Sequence, residues 1–163
     1  MDKEIKDKIS LALAILIAFL LMGFFAFYIA WSFGPGSYAR AEVYEFAIPE
    51  DSLIQIIYEA KEENQNIKIP NELIEPMFKE GRKDSTDHYY YIFFYYPDKN
   101  HVVKTATRKD GKRKSTLMFI HIYDLETRSW IQVNEYFWWW KNKPLLDEFE
   151  KRILSEIQEK INE

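Results

Sequence analysis

The sequence contains no cysteine, and this absence removes several classes of site at once. Disulfide bridges, thiolate metal centres, a cysteine nucleophile and an acylated N-terminal cysteine are all excluded. Glycine is scarce, with five residues in 163, and none lies in a phosphate-cradling pattern. The three histidines have no HExxH motif and no carboxylates at metal-ligand spacing, and there is no GxSxG elbow. We therefore expect no cofactor, no metal and no enzymatic activity.

The chain also lacks a basic excess. Its net charge is −4, and the first 41 residues carry four basic and three acidic side chains. That part has a charge of +1, so the remaining 122 residues carry −5. Domains that bind nucleic acid usually carry a basic excess, so we do not expect a nucleic-acid partner.

One long segment lacks charge altogether, from Ile9 to Phe33. A helix of this length would measure roughly 37 Å and would cross a hydrocarbon core of about 30 Å with some tilt. A soluble domain formed by the residues that follow is too small to surround so long an apolar helix. The sequence therefore predicts a short tail at 1–8, a transmembrane helix at 9–33 that contacts the lipid bilayer, and a linker at 34–41.

A cleaved signal peptide is the alternative to this anchor. Residues 39–41 (Ala-Arg-Ala) have the small-x-small form of a cleavage site. The apolar region of a signal peptide usually spans about 7–15 residues, however, and the segment here is far longer. These features favour an uncleaved signal anchor.

Basic residues near the ends of the helix predict its orientation. Three lysines precede it, at positions 3, 6 and 8, whereas only Arg40 follows closely. The positive-inside rule then predicts a cytoplasmic N-terminus and an extracytoplasmic domain, which would be periplasmic in a bacterium.

A stripe of mostly small residues repeats at every fourth position of the predicted transmembrane helix. Its members are Ser10, Ala14, Ala18, Met22, Ala26 and Ala30. Small residues at this spacing allow two helices to approach closely, so a homodimer through this stripe is one expectation. The alternative is the ordinary alanine content of a membrane helix.

The residues from 42 to 163 predict a small soluble α+β domain. A strand at 42–48 precedes an amphipathic helix that ends near Glu63, because Leu53, Ile56, Ile57 and Ala60 share one face. Alternating patterns then predict an antiparallel meander with strands at 88–96, 101–108, 114–123 and 129–137. An amphipathic C-terminal helix should follow, with Pro144 in its first turn. We expect a four- to five-stranded sheet packed by these two helices.

Aromatic runs are the most unusual feature of the predicted domain. Tyr89, Tyr91 and Tyr95 fall on one face of the first meander strand, and its other face is equally apolar. The helices cover only one face well, so either a second layer of the chain or a partner covers the other. Trp138, Trp139 and Trp140 cannot all enter one core, although 138 and 140 alone could. These six residues form our candidate interaction surface.

A basic turn connects the second and third meander strands. Asp110-Gly111 predicts a two-residue hairpin between them. The basic residues around it are Arg108, Lys109, Lys112, Arg113 and Lys114. They are candidates for contact with anionic lipid headgroups or an acidic partner, and the alternative is a solvated tip that keeps the hairpin soluble.

These features predict a non-catalytic accessory or assembly protein whose domain binds partner proteins of a membrane complex. An immunity-type protein that binds and neutralises a toxin at the membrane would show the same features. A small-ligand-sensing or enzymatic domain is the second alternative, and it would need a concave pocket with convergent polar groups.

Overall fold

The computed structural model describes residues 3–32, 38–74, 76–84 and 86–162. The chain divides into two compact units, Met1–Ala39 and Arg40–Glu163. The first unit contains helix α1, Lys3–Ser32. Its segment Lys8–Ala30 has a mean hydropathy of 2.7 and is long and apolar enough to cross a membrane. The predicted segment 9–33 lies in this helix except for its last residue, which is outside the described residues.

The second unit contains the remaining helices and all the described strands. Strand β1 is Glu42–Phe46 and helix α2 is Glu50–Glu63, followed by three short 3₁₀ turns at Gln65–Ile67, Asn71–Leu73 and Pro76–Phe78. The next strands are β2 (Tyr89–Tyr96), β3 (His101–Lys109), β4 (Ser115–Asp124) and β5 (Ser129–Gln132). Helices α3 (Trp139–Phe149) and α4 (Ser155–Asn162) are joined by a π-helical turn, Glu150–Leu154.

The five strands form one antiparallel sheet, which confirms the predicted α+β class. The order is β1-β4-β3-β2, and β5 also pairs with β4. Strand β1 pairs along the first half of β4 and β5 along the second, with Glu42 opposite Phe119 and Gln132 opposite His121. Side-chain hydrogen bonds from Arg40 to Gln132 (2.8 Å) and from Asn134 to Glu42 (2.9 Å) join the two short strands.

The core lies between one face of the sheet and the helices. Strand alternation sends Ile92 and Phe94 of β2 and Phe119 of β4 to this face, and each is fully buried. They belong to one buried cluster with Leu53 and Ile57 of α2 and with Phe149, Ile153 and Ile157 of the C-terminal helix. The Phe119 and Phe149 rings stack at 4.3 Å.

The C-terminal helix differs from the prediction at its start. It begins at Trp139, so Pro144 lies inside α3 and not in its first turn. The buried residues Phe149, Ile153 and Ile157 are spaced by four, and this spacing drifts around a helix of 3.6 residues per turn. The π turn at 150–154 widens the helix locally and keeps these side chains on the core face.

The second face of β2 is covered by the chain itself. Phe78 is 2% exposed, and its ring centre lies 5.7 Å from that of Phe93 and 5.5 Å from that of Tyr123. Phe93 and Tyr91 are also buried. For these two residues the second layer comes from the irregular segment after α2 and not from a partner.

Residues 80–82, here called the edge strap, close the outer edge of β2. Gly81 and Tyr91 exchange two backbone hydrogen bonds of 3.0 Å each. Gly81 has φ +112°, a conformation that residues with a side chain rarely adopt. The Phe93 amide donates to Glu80 Oε1 at 2.9 Å. The strap thus satisfies backbone groups that an edge strand would otherwise expose to another chain.

Two ion pairs fix the edge strap to opposite ends of α2. Near the helix end, the buried Lys61 ammonium donates to Glu80 Oε1 and, at 2.9 Å, to the Phe93 carbonyl. At the helix start, Arg82 donates to Glu50 Oε2 at 2.7 Å, and Glu50 is 5% exposed. A buried charge without its partner is costly, so each pair makes the strap part of the fold.

We predict that Lys61→Met lowers the free energy of unfolding by about 3 kcal/mol, the usual cost of removing one partner from a buried ion pair. Lys68→Met is the matched control, because Lys68 pairs with Glu62 at a solvent-exposed position. The control should change stability by less than about 0.5 kcal/mol. Denaturant unfolding of the full chain in detergent measures both. Equal losses in the two variants would contradict the role assigned to Lys61.

We predict that Gly81→Ala specifically opens the edge of β2, because alanine is strained at this φ by about 1–3 kcal/mol. Gly111→Ala is the control: its φ is +97°, and nothing lies within 4 Å of an added Cβ at either glycine. Hydrogen exchange should accelerate at the Tyr91 and Phe93 amides in Gly81→Ala only. Unchanged protection at those amides would show that the strap does not depend on this glycine.

Candidate interaction surface and cavities

Five consecutive aromatic residues, Tyr136 to Trp140, lie at the end of the connection after β5 and in the first turn of α3, and are here called the aromatic cluster. Trp139 is 69% exposed, and Trp138 and Trp140 are 47% and 52% exposed. Trp138 and Trp140 are therefore not core residues. Large apolar side chains exposed together are uncommon on soluble domains, which makes this cluster a candidate interaction surface.

The cluster has a defined geometry. The Trp138 and Trp140 rings stack at 5.0 Å with an interplanar angle of 24°. Phe137 packs edge-on against Trp138 at 5.0 Å, and Trp139 lies at 84° to Trp140. The indoles therefore support one another instead of extending separately into solvent.

Buried Asn142 explains why the chain turns sharply at this point. Its side-chain amide donates to the Tyr136 carbonyl at 2.7 Å, and its oxygen accepts the Tyr136 N–H at 3.0 Å. Val133 and Asn134 anchor the chain shortly before the cluster. Val133 is fully buried, and the Asn134 side chain donates a hydrogen bond to Glu42. These contacts at both ends hold the backbone while the rings remain outside.

The predicted tyrosines are placed differently. Tyr91 is 5% exposed and lies beneath the ammonium groups of Lys83 and Lys104. Tyr89 and Tyr95 are half-buried, and the Tyr95 hydroxyl donates to Asn100 at 3.0 Å. Strand β2 is at one edge of the sheet, whereas the aromatic cluster follows β5, which pairs on the opposite side of β4. The six candidates thus do not lie on a single element or edge.

The basic tip has a longer connection than the sequence suggests. Lys109 is the last residue of β3 and pairs with Ser115, so five residues form the turn, and the two-residue prediction is wrong. Within this turn, the Asp110 amide donates to the Lys114 carbonyl at 2.9 Å, one residue beyond the last strand pair, Lys109 with Ser115. All five basic side chains are exposed, as are Asp110 and Gly111 between them.

A cavity of about 460 Å³ lies beside the 3₁₀ turns and was not predicted from the sequence. Ile69, Ile74 and Phe78 are apolar residues of its lining, and the Lys61–Glu80 pair is part of the same lining. Pro70 and Pro76 interrupt this segment, so it has no periodicity from which a pocket could be inferred.

The Tyr58 hydroxyl near Glu80 is held in its neutral form. The Tyr58 hydroxyl donates to Glu80 Oε2 at 3.0 Å and lies 3.2 Å from the Tyr90 hydroxyl. Burial, then the Tyr90 hydrogen bond and the Glu80 charge, raises the pKa of Tyr58. A neutral tyrosine is a donor to Glu80 and not a base, so this group stabilises the strap.

Within the described residues, no group of three or more His, Asp or Glu side chains is arranged to hold a metal ion. His121 lies beside Trp130, with ring centres 5.8 Å apart. Burial, and then the charge of Lys104, lowers the pKa of His121. This histidine is therefore neutral at physiological pH, packed on the sheet beside a lysine.

No family model, curated protein or solved structure matches this chain. The assignment of function therefore depends on the geometry of the chain itself.

We predict that reversing the charges at Lys112 and Arg113 leaves the fold intact, because both side chains are in the solvent at the turn. The Lys112→Glu, Arg113→Glu variant should change the free energy of unfolding by less than about 0.5 kcal/mol. Arg82→Glu is the control, since it places a carboxylate against buried Glu50. Thermal unfolding should separate the two variants clearly. A large loss from the double reversal would show that the tip packs against the domain.

Proposed function

We propose that this chain is a single-pass, membrane-anchored, non-catalytic accessory protein. Its domain binds a partner protein of a membrane complex through the aromatic cluster at 136–140. The N-terminus is cytoplasmic and the domain is extracytoplasmic, which means periplasmic if the organism is bacterial. The exposure of Trp138, Trp139 and Trp140 on a fixed backbone is the observation that carries the proposal.

Helix α1 supports the anchoring part of the proposal. Its apolar stretch Lys8–Ala30 has the length and composition of a membrane span. Only seven residues, 33–39, separate it from the second unit, and these can reach at most about 25 Å when fully extended. The domain would then remain close to the bilayer, where partners in the same membrane are concentrated. The small-residue stripe of α1 would also allow a second copy to pack alongside.

The composition of the aromatic cluster supports a protein partner. Tryptophan and tyrosine dominate the residues that contribute most to protein–protein affinity, and they lose little conformational entropy on binding. Here the stacked Trp138–Trp140 pair and the Asn142 contacts order the surface before a partner arrives. The entropy cost of binding is correspondingly reduced.

Site-specific photo-crosslinking in native membranes tests the proposal directly. A photoreactive amino acid at position 139 should form a discrete protein adduct at fixed stoichiometry. The same amino acid at Val43 is the control, because Val43 is 50% exposed on β1 and lies outside the cluster. Protein adducts only at position 139 support the proposal. Lipid adducts alone, or equal labelling at both positions, would contradict it.

We predict that Trp139→Ala weakens this assembly without unfolding the domain. The side chain is mostly in solvent, so the free energy of unfolding should change by less than about 0.5 kcal/mol. Loss of a central interface residue typically costs about 2 kcal/mol or more, which corresponds to a roughly 30-fold weaker complex. Quantitative co-purification and thermal unfolding measure the two effects, with Val43→Ala as the control. Equal loss of stability and assembly would contradict the prediction.

Two other functions use the same architecture. An immunity-type protein would bind a toxin through the same surface, and the identity of the crosslinked partner distinguishes it from an assembly subunit. A ligand-sensing domain is favoured by the 460 Å³ cavity, whose size and apolar walls suit a small molecule. Absence of any protein adduct at position 139 would move the assignment to this second function.

A further inference from the structure

A second cavity, of about 350 Å³, lies on the other side of the edge strap and has an unusual charge distribution. Here it is called the lysine pocket. Its cationic members are Lys79, Arg82, Lys83 and Lys104, and Glu80 is the one carboxylate in its lining. This balance is the reverse of that in the domain as a whole, which is net acidic.

The two charged residues of the edge strap, Glu80 and Arg82, are already paired with residues of α2. Glu80 accepts hydrogen bonds from Lys61, Tyr58 and the Phe93 amide. Arg82 donates to Glu50 at 2.7 Å. The strap therefore contributes little negative charge to the pocket, and the lysine ammonium groups determine its potential.

Two of these lysines converge on one aromatic ring. The Lys83 ammonium lies 5.3 Å and the Lys104 ammonium 5.0 Å from the centre of the Tyr91 ring. Lys104 is also 5.7 Å from the Trp130 ring. Such contacts partly compensate each cation, but they do not remove the repulsion between the two ammonium groups.

The surroundings of Lys104 reflect this repulsion. Burial, followed by the charge of Lys83, lowers the pKa of Lys104, and Asp87 acts weakly in the opposite direction. The Asp87 carboxylate accepts the Tyr89 amide at 3.0 Å and is engaged by the backbone. Two like charges that line one cavity, each beside the same aromatic ring, favour the binding of an anion there.

We propose that the lysine pocket binds a phosphate-bearing anion, contacted by the ammonium groups of Lys83 and Lys104 beside the Tyr91 ring. Lysine binds phosphate as a point charge, which suits two flexible ammonium groups converging from different elements. The phosphate belongs either to a soluble molecule or to the headgroup of an anionic lipid. The pocket is formed by β2, β3 and residues from the segment 77–83, so this site is separate from the aromatic cluster.

Titration with inorganic phosphate, followed through the His121 imidazole by NMR, tests the proposal. The full chain is held in maltoside micelles, which carry no phosphate, and chloride at matched ionic strength is the reference. His121 lies close enough to Lys104 for that charge to lower its pKa, so bound phosphate should raise the pKa of His121. A saturable shift with phosphate and none with chloride is the expected result.

Variants localise the site. Lys83→Met and Lys104→Met should each weaken phosphate binding at least tenfold, whereas Lys112→Met removes one charge at the exposed tip and should leave it unchanged. Lys83 is exposed, so its variant remains informative even if Lys104→Met alters packing. A non-saturable shift, or an equal loss in Lys112→Met, would overturn the proposal.

A final comparison identifies the source of the phosphate. Nanodiscs of anionic phospholipid, in buffer without phosphate, should reproduce the His121 shift if a headgroup occupies the site. A shift with free phosphate alone identifies a soluble ligand. Both results require sensitivity to Lys83→Met, and a shift that survives this substitution contradicts the pocket as the site.

Discussion

The ion pair between Lys61 and Glu80 is the contact on which the arrangement of the domain depends. Lys61 is buried at the end of α2, and its ammonium reaches both Glu80 and the backbone of β2. Glu50 makes the equivalent contact with Arg82 at the start of the helix. Burying Lys61 or Glu50 without its ion-pair partner is costly, and both partners belong to the strap. Helix α2, the strap and the edge strand therefore form as one unit, although 19 residues separate Lys61 from Glu80.

Closing this edge also limits how the domain can recognise other molecules. An open β2 edge would bind a partner by strand addition, with little dependence on side chains. The strap occupies the backbone groups at Tyr91 and Phe93, so that route is blocked along the middle of the strand. A partner at this edge would then have to be recognised through side chains. The aromatic cluster is suited to this because its rings are exposed while Asn142 fixes its backbone.

Local patterns in the sequence identified most elements but not their connections. The last strand, predicted at 129–137, ends at Gln132, and the C-terminal helix begins at Trp139, before the predicted start. Alternation identifies β2 to β4, and the spacing of Leu53 and Ile57 identifies α2. Alternation predicts that the three tryptophans cannot all be buried, but all three are exposed, because the strand ends at Gln132 and Trp139 and Trp140 lie in the first turn of α3. The strap has no periodic signal, since its structure depends on partners distant in sequence. The π turn was also not predicted, although the four-residue spacing from Phe149 to Ile157 is consistent with it.

The closed edge and the lysine pocket have a common electrostatic origin. Glu80 of the strap pairs with Lys61, and Arg82 of the strap pairs with Glu50 at the start of α2, so both carboxylates are neutralised. These carboxylates therefore contribute little net negative charge to the cavity, in which the ammonium groups of Lys83 and Lys104 both lie close to the Tyr91 ring. A domain with a net negative charge thus contains a positive cavity, and the basic segment 79–83 supplies three of the four cationic side chains in its lining. The potential of that cavity follows from which way each carboxylate faces, and net charge alone does not reveal it.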